Sequence, residues 1–479
     1  MSSERKETHR EIAVSEFFEK NRHLLGYDNK TKALFTIVKE AVDNSLDACD
    51  DSGILPDIYV RVKETENERY MIEVEDNGPG INEKHIPNVF GKLLYGSKFH
   101  RLKQNRGQQG IGISGAVLYC QLTTGMPTEI RSSTGNGKIY CYSLKIDVRN
   151  NKPIILEKRY ENEEWRGVKV KFYAEGVYKE HKQSILEYLK QTSIANPHAN
   201  IIFDSPTGTY EFLRNIYTPP KKSKEIRPHI KGVELGMLSR MLHETKARNM
   251  LSFFVNEFSR IGRLTAKLIL EKANIDEKRK PRSISNDEVK RIIDVVKGIS
   301  LPKPPADCLS PIGGEVLKRG IEKELKPEWS EAVTRPASVY RGRPFQIEAV
   351  IAYGGEIENF KLLRFANRVP LLYQQGDCAI TKAVMEINWK RYGISTGNRS
   401  MPDDKIVIAV HIASVWVPFT SESKEAIASY PVILKEVKLA LQECARKLSL
   451  LLSAKRRIER IRKRRNIFER YTDEVVNSL

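Results

Sequence analysis

Two proline- and lysine-rich runs constrain this chain more than any other feature. Neither Thr218-Pro219-Pro220-Lys221-Lys222-Ser223-Lys224 nor Leu301-Pro302-Lys303-Pro304-Pro305 can continue a helix or a sheet interior. Each proline lacks an amide donor and fixes its own φ, so both runs read as breaks between folded units. They divide the 479 residues into 1–228, 229–308 and 309–479. A prior of about three domains for such a length agrees with that division.

The first unit mixes periods. Ala33–Cys49 places Leu34, Ile37, Val38, Ala41, Val42 and Leu46 at helical spacing. Tyr70–Asp76 alternates, with Ile72 and Val74 on one face, and then meets Asn77-Gly78-Pro79-Gly80, the pattern of a strand ending in a loop. Lys138–Val148 and Val168–Tyr173 also read as strands. The second unit is helical over Gly232–Ile299, without a convincing strand. The third has strand-like Phe345–Tyr353, Phe360–Asn367 and Ile406–Val417, followed by a helical stretch from about Lys424 to Glu469 that starts or kinks at Pro431. The predicted fold class is α+β and multidomain.

With 40% apolar and 29% charged residues the chain can build ordinary cores. Lys and Arg number 80 against 61 Asp and Glu, a formal charge of +19 that favours a polyanionic partner. The most apolar stretch, Ile406–Phe419, holds His411 and Pro418 and is too short to span a membrane. The start Met1-Ser2-Ser3-Glu4-Arg5-Lys6 has no apolar run behind it, which argues against a secretory signal. The six cysteines contain no CxxC pair, so neither a zinc site nor a disulfide framework is expected. These features predict a soluble cytoplasmic protein that makes no use of a membrane.

Three segments could carry chemistry. In Glu40-Ala41-Val42-Asp43-Asn44-Ser45-Leu46-Asp47-Ala48, Glu40 and Asn44 are i,i+4 neighbours and Asp47 lies one turn further on. Asn offers a neutral oxygen to a hard cation, and Glu can take a proton from water. Alone, the stripe reads more readily as a solvated helix face. In Glu75-Asp76-Asn77-Gly78-Pro79-Gly80-Ile81, a carboxylate at a strand end can accept from an exocyclic amine while glycines let backbone approach a flat ring. Alone, this is turn chemistry. In Asn105-Arg106-Gly107-Gln108-Gln109-Gly110-Ile111-Gly112-Ile113-Ser114-Gly115, glycines expose backbone amides ahead of a helix expected near Ala116, which makes a phosphate cradle. Gly110, Gly112 and Gly115 also satisfy GxGxxG, but a polar, basic stretch rather than a strand precedes them, so a dinucleotide site fails on context. Gly91-x-x-x-x-Gly96-Ser97-Lys98 reverses the last pair of a P-loop and fails likewise.

In this order the three segments resemble the GHKL ATPases, whose pattern is E-x-x-x-N-x-x-D-A, then D-x-G-x-G, then a glycine-rich lid. The residues carrying it are Glu40, Asn44, Asp47 and Ala48, then Asp76, Gly78 and Gly80, then Gly107 to Gly115. Further segments (Ser97-Lys98, Arg343-Pro344-Phe345, Arg364 to Tyr373, Pro418 to Glu425) are similar to the B subunits of archaeal-type DNA topoisomerase VI, the type IIB enzymes. That resemblance covers nearly the whole chain. One departure is Val168, where many GHKL relatives have a threonine beside the adenine.

The resemblance implies a Bergerat-type α/β ATPase sandwich over 1–228, a helix-two-turns-helix-like module over 229–308, and an S5-like transducer over 309–479 that ends in a long basic helix. It implies ATP and Mg²⁺ as cofactors. Asp76 would accept the adenine amine, Asn44 would ligate the metal, and Glu40 would be the general base. Asp47 would orient the metal's waters. Gly80 would lie by the nucleotide, with Ser97 and Lys98 near it. Gly107, Gln108, Gln109, Gly110, Ile111, Gly112, Ile113 and Ser114 would close over the phosphates. Lys424, expected in the first turn of a helix, would reach the γ-phosphate. The implied partners are an A subunit in an A2B2 heterotetramer, a second copy of this chain that dimerises with ATP through a strap in residues 1 to about 25, and double-stranded DNA, hence a nucleoid location. An ATP-gated clamp of the mismatch-repair MutL type is the alternative. A basic DNA-binding scaffold without activity would leave the ATP motifs unexplained.

Overall fold

The computed structural model describes residues 20–96, 102–107, 110–397, 400–421 and 423–478. Helix α1 (Lys30–Ser52) starts where the Asn29 side chain accepts from the Lys32 amide at 2.8 Å and stops at Gly53 in the left-handed conformation. Strands β1 (Asp57–Glu66) and β2 (Arg69–Asp76) form an antiparallel hairpin. Tyr70, Ile72, Val74 and Asp76 all lie on the buried face of β2, so the period of two that builds the core also carries the last carboxylate inward. Helix α2 (Gly112–Thr124) begins four residues earlier than the expected Ala116. The glycine run therefore enters the first turn of the helix instead of ending before it.

Strands β3 (Thr128–Thr134), β4 (Lys138–Asp147), β5 (Lys152–Asn162) and β6 (Arg166–Glu175), helix α3 (Ile185–Ala195), and strands β7 (Asn200–Ser205) and β8 (Gly208–Phe212) complete this part. The sheet order is β5-β4-β3-β6-β2-β1-β7-β8, antiparallel except for the β1–β7 pair. Helices α1, α2 and α3 pack against this sheet and share its apolar core.

Residues after Phe212 cross irregular chain to four helices, α4 (Leu235–Glu244), α5 (Met250–Glu257), α6 (Arg263–Lys272) and α7 (Asn286–Gly298). These enclose a separate core in which Phe253 meets Phe254 and Phe258 edge to face. Helix α8 (Gly314–Leu325) then leads into a second sheet of β9 (Trp329–Thr334), β10 (Ser338–Tyr340), β11 (Arg343–Tyr353), β12 (Lys361–Ala366), β13 (Val369–Pro370) and β14 (Ile406–Ser414). Its order is β10-β11-β14-β12-β13, with β9 on β11 and the β12–β14 pair parallel.

The final helix, α9 (Pro431–Ser478), starts at the proline itself, where a missing amide costs nothing. It buries Ile433, Val437, Ala440, Leu441, Cys444, Leu448 and Leu452 against the second sheet. Lys424 is consequently not in a first helical turn. It sits seven residues upstream in a turn at φ 55°, its amide bonded to the Ser421 carbonyl at 3.1 Å. Among the described residues no helix is long and apolar enough to cross a membrane.

Candidate active site

A cavity of about 650 Å³ opens between α1, the end of β2, the glycine run and two loops of the third unit. Its lining includes Glu40, Asn44, Asp76, Gly80, Gly107, Gly110, Ile111, Gly112, Ile113 and Lys424. Sequence reading assigns all of these to one site, although Lys424 lies 318 residues beyond Arg106 in the chain. Ser114 is buried behind the cavity and donates to the Ile111 carbonyl at 3.2 Å. Ser97, Lys98, Gln108 and Gln109, and most of the expected strap, lie outside the described residues.

Asp76 is 5% exposed. Its Oδ2 accepts from the Ser45 hydroxyl at 2.7 Å, and its Oδ1 accepts from the amides of Gly78 at 2.9 Å and Val168 at 3.3 Å. Burial pushes the carboxyl up; these three bonds pull it down, and the net lies above the usual carboxylate range. Such a carboxylate is oriented yet keeps one lone pair, on Oδ2, for a donor in the cavity. The Val168 contribution comes from the main chain, set by its pairing with Asp76 across β2 and β6, so losing the familial threonine leaves it intact. Gly80 (φ 72°) and Gly167 (φ 141°) approach so closely that a Cβ would strike the Ser133 and Asp76 carbonyls respectively.

One face of α1 supplies the acid and the amide. Asn44 is exposed within an otherwise buried run from Ala41 to Asp47, because it faces the cavity. Glu40 packs against the first residue of α2 with no room for a side chain at Gly112. Lys39, itself buried, donates to Glu40 Oε1 at 3.2 Å and to Asp43 Oδ2 at 3.0 Å, and Tyr188 donates to Asp43 Oδ1 at 2.9 Å. Burial pushes the Glu40 carboxyl up, but Lys39 and Lys424 outweigh it and hold it below the usual range. Burial lowers the Lys424 ammonium, and Glu40 only partly opposes that. Asp47 does not line the cavity; its Oδ1 takes the Arg106 guanidinium at 2.9 Å.

The third unit closes the far wall with Pro370 to Tyr373 and Ser423 to Glu425. The buried Arg364 holds the first of these loops, donating to the carbonyls of Leu371 at 2.7 Å and Tyr373 at 2.9 Å. Lys32 of α1 pairs with Glu425 at 2.7 Å, and its ammonium lies 5.1 Å from the centre of the Tyr373 ring. Sequence reasoning missed Ser45, Lys39, Tyr373 and the Val168 amide. Only the register of β6 on β2 could have revealed the last.

The family described as topoisomerase VI B subunit, transducer, matches residues 304–464, and the histidine kinase-, DNA gyrase B- and HSP90-like ATPase family matches residues 29–150. The B subunit of type 2 DNA topoisomerase 6 from Archaeoglobus fulgidus is 48% identical over 457 residues, covering 94% of this chain and 75% of the relative. The chain belongs to the topoisomerase VI B-subunit family. The Pyrococcus horikoshii protein of the same name is 42% identical, with 98% of this chain and 91% of the relative covered. A topoisomerase VI B chain thus pairs a GHKL ATPase fold with a transducer ending in a long helix, and family membership favours it over the mismatch-repair clamp.

Proposed function

We propose that this chain is the ATP-binding and ATP-hydrolysing subunit of a type IIB DNA topoisomerase, with units at 1–228, 229–308 and 309–479. The observation that carries this reading is convergence: an acid and an amide from α1, a buried acceptor from β2, glycine amides and a lysine from the third unit share one cavity. Asp76, held by Ser45 and two amides, accepts the adenine amino group. The glycine run cradles the phosphates, and Ser97, Lys98, Gln108 and Gln109 join it by resemblance alone. Glu40, kept ionised by Lys39 and Lys424, takes a proton from the attacking water. Lys424 binds the γ-phosphate, so the third unit senses whether that group is present.

The residues present fit Mg²⁺. The Asn44 side chain makes no hydrogen bond among the described residues and faces the cavity. No group of three or more His, Cys, Asp or Glu among those residues could hold a metal alone, which suits an ion shared with substrate phosphates. When bound, that ion would neutralise charge on the triphosphate.

ATP-dependent dimerisation through residues 1 to about 25 would close a gate, and an A subunit carrying the nucleophilic tyrosine would complete an A2B2 enzyme that passes one DNA duplex through another. The excess of basic residues suits DNA as the polyanion. The test mixes the full chain with the A subunit of a topoisomerase VI and follows relaxation of supercoiled DNA with ATP. In Glu40→Ala, nucleotide binding should survive while hydrolysis and relaxation slow by about 10²- to 10⁴-fold. Full relaxation by that variant would remove Glu40 from the chemistry.

A further inference from the structure

Three consecutive polar residues lead into the glycine run, and each is tied to a different part of the molecule. Gln104 exchanges two bonds with the Ser310 main chain, Nε2 donating to the carbonyl and Oε1 accepting from the amide, both at 2.8 Å. The Asn105 carbonyl accepts from Asn367 Nδ2 at 3.1 Å. Arg106 donates through Nη1 to Asp47 Oδ1 at 2.9 Å and through Nη2 to Asp50 Oδ2 at 2.8 Å. Polar loop residues are ordinarily solvated, yet Arg106 is only 6% exposed. A buried guanidinium is costly unless carboxylates in good geometry compensate, and here two of them do, one helical turn apart on α1. The same helix carries Glu40 and Asn44 to the cavity.

The Arg106 main chain faces the other way. Its carbonyl accepts the Lys424 ammonium at 3.3 Å, and the next residue is Gly107, on the cavity wall. We propose that Arg106 is a positioning residue for ATP hydrolysis: locked on Asp47 and Asp50, it fixes the upstream end of the glycine lid to α1 and sets where Lys424 stands relative to Glu40. This rests on the nucleotide-site reading above. It also gives Asp47 a different task from the one the resemblance implied, holding the lid instead of the metal's waters. A lysine would replace the fork only in part, since its ammonium lacks the planar pair of nitrogens that reaches Asp47 and Asp50 separately.

The test measures kcat and KM for ATP, and the affinity for a non-hydrolysable ATP analogue, in the full chain and in Arg106→Gln, Arg106→Lys and Asp47→Asn/Asp50→Asn. Arg106→Gln should lower kcat by about 10²-fold, the scale of a small misplacement in an active site, while analogue affinity changes little. Arg106→Lys should fall between Arg106→Gln and the parent. Arg106 Nη2 also donates to Asn196 Oδ1 at 2.5 Å, but the two carboxylates carry the compensating charge, so adding Arg106→Gln to the double Asp variant should lower kcat little further. Unchanged kcat, multiplying losses, or a parallel fall of kcat and analogue affinity in both Arg106 variants would each overturn the proposal. Glu40→Ala is measured alongside: if it hydrolyses ATP normally, the site reading itself fails. If it is inactive while Arg106→Gln is active, only the role of Arg106 fails.

Discussion

Gly112→Ala sets helix stability against catalysis in a single methyl group. Gly112 opens α2, and its φ lies in the range that L residues adopt, so alanine fits the backbone. The added Cβ would stand 2.7 Å from Glu40 Cδ and closer still to Oε2, where ordinary contact begins at 3.4 Å. The carboxylate must therefore retreat by roughly 1 Å, and a misplacement of that size costs about 10²-fold in rate. At 1.36 kcal/mol per tenfold this is about 2.7 kcal/mol of barrier. Glu40 has little freedom to recover, since Lys39 holds Oε1 at 3.2 Å. Alanine is meanwhile the better helix former by up to about 1 kcal/mol, so the chain should stay folded. Single-turnover ATP hydrolysis, analogue binding and thermal unfolding, measured on one preparation, separate these effects. Turnover at the parental rate in a folded Gly112→Ala chain would refute the placement of the Glu40 carboxylate as the group that activates water.

Asp76→Asn should weaken ATP binding by about 1.5–3 kcal/mol, the scale of a hydrogen bond to a charged group, in a calorimetric titration. An intact affinity would place the adenine elsewhere. Phe253→Ala, in the aromatic cluster of the helical unit, should cost about 3–5 kcal/mol in denaturant unfolding while leaving nucleotide affinity alone. A smaller loss would mean that the cluster collapses around the cavity. The Arg279 guanidinium and the Ser285 amide hold the Glu288 carboxyl down to about 2. Because the folded value lies below the unfolded one of about 4.3, the stabilisation is complete above that pH and is lost as the pH falls towards the folded value. Melting of Glu288→Gln across that acid range should be less pH-dependent than the parent's, and identical slopes would contradict the assignment.

Much of the site was legible because its residues follow local periods. Asp76 continues the inward face of Tyr70, Ile72 and Val74, and Glu40 and Asn44 share a helical stripe. What escaped depends on tertiary neighbours. Ser421 to Tyr430 contains residues compatible with helix, yet Phe419 bridges to Ile427, the Ile427 carbonyl takes the Ala379 amide, and Ala426 and Ile427 are buried. Those contacts hold Lys424 in a left-handed turn and delay the helix to Pro431. Ser45 carries no signal between Asn44 and Leu46 until β2 is seen beside α1, and the Val168 amide is assigned only by strand register. Arg106 stands in the sequence only as one residue of the glycine-rich cradle; two carboxylates from another element bury it.

The most direct measurement is a crystal structure of the full chain with Mg²⁺ and a non-hydrolysable ATP analogue. The adenine amine should meet Asp76, the γ-phosphate should meet Lys424, and the ion should sit on the Asn44 side-chain oxygen. Nucleotide density outside this cavity, or a γ-phosphate remote from Lys424, would contradict the assignment.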